Sequence, residues 1–67
     1  MNLSAKYLIK ILEERDFIFK RAKGSHQLYH NVITNRTIVV PVHNKDMKKG
    51  TFYAILKQAD INKNDLE

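Results

Sequence analysis

FIFKRAKGSHQLYHN, Phe17 to Asn31, reads as two strand-like halves around one glycine. Phe17-Ile18-Phe19 is aromatic and β-branched, the composition that fits a pleated, half-buried surface. Gly24 interrupts the extended run as a hairpin turn does. Beyond it the side chains alternate, with His26, Leu28 and His30 on one face and Gln27, Tyr29 and Asn31 on the other. The register of the first half stays open, because Phe17 and Phe19 compete with Ile18 for the buried side. The stretch predicts an antiparallel hairpin.

Toward the N-terminus, Ser4 is placed to cap a helix, and Leu3 and Leu8 bracket it as a hydrophobic staple. Ala5, Leu8, Ile9, Ile11 and Leu12 cluster on one side, leaving Lys6, Lys10, Glu13 and Glu14 to solvent. Arg15-Asp16 closes the pattern. Toward the C-terminus, Thr34-Asn35-Arg36 supplies a turn, and Thr37-Ile38-Val39-Val40 a third strand ending near Pro41, which argues for a strand end or an edge. Asn44 to Lys49 is polar and followed by Gly50. Phe52, Ile55, Leu56 and Ala59 then repeat at helical spacing, predicting a second helix from about Thr51, with Thr51 as its cap. Asn62 can cap one last turn through Leu66. The sum is an α+β fold, α-β-β-β-α. Two helices on one face of a three-stranded antiparallel sheet bury Leu8, Leu12, Phe52, Ile55 and Leu56.

Sixty-seven residues are expected to form a single domain, 1–67, with no room for a large cofactor cleft. Twelve Lys plus Arg against seven Asp plus Glu give +5. That surplus favours a polyanion or an acidic protein as partner, and equally describes a solubilising surface. Cysteine is absent, which removes disulfides, thiolate nucleophiles and zinc-thiolate sites. The apolar run Ile38-Val39-Val40 falls far short of the roughly 20 residues a membrane span needs. With no signal-peptide layout at Met1-Asn2-Leu3-Ser4, a cytoplasmic protein is expected.

His26 and His30 are four apart, the spacing of a metal pair on a helix, but on a strand they sit about 13 Å apart and cannot share an ion. No metal site is expected. His30, beside Asn31 at a turn, reads as a solvated residue. His26 follows Lys20, Arg21 and Lys23, and Gly24 lets the backbone approach a bulky anion. A phosphate can dock there beside an imidazole, a group that titrates near ~6.5 in free form and so exchanges protons at cell pH. Ser25 can position the histidine or a phosphate oxygen. A surface histidine near a basic turn remains the plainer reading of these residues taken alone.

Gly24-Ser25-His26, Pro41-Val42-His43, Gly50-Thr51 and Ile55-Leu56-Lys57-Gln58-Ala59 occur in an order that resembles the HicA-type mRNA interferase toxins. The resemblance covers nearly the whole chain. It implies a fold like the double-stranded-RNA-binding domain, ribosome-independent endonuclease activity on mRNA with His26 as the catalytic residue, and a HicB-type antitoxin that masks His26. Two positions depart from the family's pattern. Asp16 stands where a glycine often precedes the phenylalanine, so any left-handed backbone there comes at some cost. Gln27 stands where a second histidine is common.

The mechanism expected from these residues is metal-independent transesterification without a cofactor. His26 acts as general base on the ribose 2′-hydroxyl or general acid on the leaving oxygen, and Lys20, Arg21 and Lys23 hold the phosphorane charge. His43 is the candidate second acid–base group, and is equally placed to cap the loop that follows it. Tyr29, opposite in direction to His26, is expected to pack rather than stack on bases. The competing readings are a non-catalytic RNA-binding module of the same fold and a small protein whose basic face docks an acidic partner.

Overall fold

The computed structural model describes residues 3–42, 47–62 and 64. The element order is α1 (Ala5–Glu14), β1 (Ile18–Lys23), β2 (His26–Asn31), β3 (Arg36–Pro41) and α2 (Lys49–Gln58). The sheet is antiparallel with spatial order β1-β2-β3, giving the α-β-β-β-α arrangement of the double-stranded-RNA-binding domain.

Ser4 caps α1 as expected, its hydroxyl oxygen accepting from the Tyr7 N–H at 3.1 Å. Leu8, Ile11 and Leu12 then face inward and are buried. The helix stops at a left-handed Asp16, φ 72°. Asp16 N–H reaches back to the Glu13 carbonyl, and Phe17 N–H to the Leu12 carbonyl at 3.0 Å. This Schellman closure turns the chain so that Phe17 enters the core before β1 begins. The same device ends α2: Asp60 is left-handed at φ 61°, and Ile61 N–H bonds the Leu56 carbonyl at 2.9 Å. Leu56 and Ile61 are both buried, as are Leu12 and Phe17.

The two helices cover the sheet face that carries Tyr29, Ile38 and Val40, and those three residues share one core with Leu8, Leu12, Phe52, Ile55 and Leu56. Tyr7 of α1 stacks on Phe52 of α2 at 5.9 Å between ring centroids. Both helices contact β3, whereas every residue of β1 is exposed. The sheet thus extends past its helical cover on the β1 side.

Three expectations are revised. α2 begins at Lys49 with Lys48 as N-cap and no side-chain cap bond, so Gly50 and Thr51 sit inside its first turn. Burial of Phe52 beneath α1 recruits the preceding turn into the helix despite the glycine, tertiary packing outweighing propensity. Arg36 belongs to β3, not the turn, and its guanidinium donates to the Gln58 carbonyl at the end of α2 at 3.1 Å. His30 is half-buried within β2, its Nδ1 2.9 Å from the Thr37 hydroxyl of β3. Asn62 Oδ1 accepts from the Asn64 N–H at 2.9 Å, as a cap does, and the rest of the turn expected through Leu66 lies outside the described residues.

Candidate active site

The β1–β2 hairpin is closed by two residues. Lys23 pairs with His26, which leaves Gly24-Ser25 as the loop. Gly24 has φ 59°, the conformation a II′ turn requires at its first central residue. A Cβ there would meet nothing within 4 Å, so the glycine answers to backbone conformation and not to crowding. The Ser25 carbonyl accepts from the Val42 N–H, tying the turn to the segment just after β3. His26, the first residue of β2, is thereby fixed between Lys23 of β1 and Pro41 of β3.

β1 contains a bulge. Phe19 pairs with Tyr29, but Arg21 pairs with Leu28, so two residues of β1 pass for one of β2, with Lys20 the extra one. Upstream of it Phe19 lies on the helix side of the sheet, its ring edge-on to Tyr29 at 5.7 Å. Downstream, the added residue places Arg21 and Lys23 on the open side with His26. Without the bulge, a strand that offered Phe19 to the core would turn both cations the same way.

The open face is therefore built in rows across the three strands: Lys23, His26 and Pro41; then Arg21, Leu28 and Val39; then Ile18, His30 and Thr37. Between the first two rows lies a shallow depression of about 180 Å³, lined by Arg21, Lys23, His26, Gln27, Leu28 and Val39. Two cations and an imidazole border it, and among the described residues its lining holds no carboxylate. An anion at its rim meets the Arg21 and Lys23 cations, which suits a phosphate.

Of the residues singled out in the sequence, Arg21, Lys23 and His26 converge on this depression. Gly24 and Ser25 form the turn at its end, and Lys20 sits at the bulge without lining it. His43 lies outside the described residues. Gln27, Leu28 and Val39 are the additions. The Gln27 side chain lies on the helix side of the sheet, where the buried Tyr29 donates its hydroxyl proton to Gln27 Oε1 at 2.8 Å. Burial, and secondarily the charge of Glu13, push the Tyr29 hydroxyl above its ordinary range, so it stays a proton donor. The sequence held one signal for Leu28, an apolar residue alternating onto the face of His26 and His30.

No curated protein sequence matches the chain. Residues 5–61 match the model of a protein family described as the HicA toxin of bacterial toxin-antitoxin. That span takes in both helices, all three strands and every residue around the depression, and with it the chain belongs to the HicA toxin family, the toxin half of a bacterial toxin–antitoxin pair.

Proposed function

We propose that this toxin is a metal-independent endoribonuclease that cuts mRNA without the ribosome, using His26 for acid–base chemistry, and that its antitoxin is a HicB-type protein that neutralises it by masking His26. The observation that carries the reading is the cross-strand placement of Lys23 against His26, with Arg21 in the neighbouring row and no carboxylate among the described residues of the lining. In the reaction the ribose 2′-oxygen attacks the adjacent phosphorus and gives its proton to a ring nitrogen of His26. The P–O5′ bond breaks, and the departing oxygen takes a proton from the imidazolium, from water or from His43. A 2′,3′-cyclic phosphate and a 5′-hydroxyl result. Arg21 and Lys23 are positioned to hold the equatorial oxygens as negative charge builds on the phosphorane, and Lys20 adds long-range attraction from the bulge.

The test is cleavage of a long single-stranded RNA in excess EDTA with His26→Ala in parallel and product ends mapped. Removing a general acid–base group should cost about 10²–10⁴-fold, and wild-type fragments should end in cyclic phosphate. Equal cleavage by both proteins would move the chemistry away from His26. Tight binding of intact RNA by both would leave a non-catalytic RNA-binding module.

A further inference from the structure

The open sheet face raises a second question. On the solvated side of an antiparallel sheet the alternating positions are expected to be polar. Here the middle row departs from that: Leu28 and Val39 stand directly opposite each other, and Val39 is 46% exposed. They form an apolar floor, flanked by Arg21 across the strand pair and by the His26 row about 7 Å away, two residues along the strand.

Building on the nuclease reading, we propose that Leu28 and Val39 seat one nucleobase adjacent to the scissile phosphate, so that the toxin selects RNA whose strand is unpaired at the cut. The cationic border calls for a polyanion, and the floor calls for a flat apolar group carried within one residue of a phosphate. A nucleotide joins both. At about 180 Å³ the depression is smaller than the roughly 300–1,000 Å³ of a whole small-molecule site, and is of a size for a single base. In an A-form duplex the bases are stacked and paired and cannot turn onto such a floor, whereas an unpaired strand can splay one out.

The experiment uses a short oligodeoxynucleotide carrying a single ribonucleotide, which confines cleavage to one linkage because only there is a 2′-hydroxyl present. The base on the 5′ side and then the base on the 3′ side of that linkage is replaced by an abasic site. One of the two replacements should slow cleavage about tenfold, as loss of a base-seating contact does. In Val39→Thr, which keeps the shape but wets the floor, that penalty should shrink to about twofold; a thermal melt checks that the variant folds. Equal rates with and without either base, or a penalty unchanged in Val39→Thr, overturn the seat while leaving the nuclease intact. If no substrate is cut, the nuclease reading has failed. The seat is then decided by fluorescence anisotropy with uncleavable 2′-O-methyl strands: wild type should bind the single strand at least about fivefold more tightly than its duplex or its fully abasic counterpart, and equal binding overturns it.

Discussion

Asn31→Ala should lower the melting temperature by roughly 10–20 °C. Asn31 is the last residue of β2 and is only 4% exposed. Its Nδ2 donates to the Arg15 carbonyl at the C-cap of α1 at 2.9 Å. Its Oδ1 accepts from the Ile33 and Thr34 N–H groups of the β2–β3 turn at 2.8 and 3.1 Å. One amide thus joins the end of a helix to the turn of a hairpin. Alanine removes all three bonds. Water can reach the N–H groups of the exposed turn, but the half-buried Arg15 carbonyl loses its partner at a larger cost. A total of about 2–3 kcal/mol is expected, and each kcal/mol shifts the midpoint of a domain this small by roughly 4–8 °C. Circular dichroism melts measure it. Asn31→Asp separates the two halves of the network: it keeps the acceptor for the turn but sets a carboxylate against the Arg15 carbonyl. Its stability should therefore recover in acid, where the neutral carboxyl can donate again. Asn31→Ala melting within about 3 °C of wild type, or Asn31→Asp showing no gain in acid, would refute the account.

Asp16→Gly should raise the melting temperature by about 4 °C, since glycine takes φ 72° without the left-handed penalty and the side chain it removes is exposed; a melt no higher than wild type would show that Asp16 adopts the conformation without strain. Exchanging Ala22 and Lys23 keeps composition and net charge but moves the cation from opposite His26 to opposite Gln27. Cleavage should fall about 10²-fold, the usual loss when one donor to a developing oxyanion is removed, and an unchanged rate would mean that charge near the hairpin suffices without a defined partner for His26.

Much of the frame was legible because local rules and tertiary packing agree there. Ser4 announces α1 and does cap it, and Gly24 marks a turn that needs its positive φ. The alternation from His26 to Asn31 assigns both faces of β2 correctly. What escaped the sequence is what tertiary contact decides. Nothing in Lys48-Lys49-Gly50 looks like a helix start, and α2 begins there because Phe52 is buried under α1. Asn31 reads as a turn residue until Arg15, sixteen positions earlier, is seen to lie beside it.

The bulge is the deepest of these gaps, and it explains why the site residues were easier to name than to place. Strand alternation sends Phe19, Arg21 and Lys23 to one face, a set that can be neither all buried nor all solvated without loss. One extra residue at Lys20 resolves the conflict, since Phe19 stays beside Tyr29 while Arg21 and Lys23 cross to the face of His26. No period in the sequence announces it, because the signal is a conflict between two periods. β1 can carry such a defect because it is an edge strand whose residues are all exposed and which, among the described residues, pairs with β2 alone. In β2, paired on both sides, the same insertion would break two ladders and move His26. The irregular strand therefore supplies the cations, and the regular central strand holds the histidine they serve.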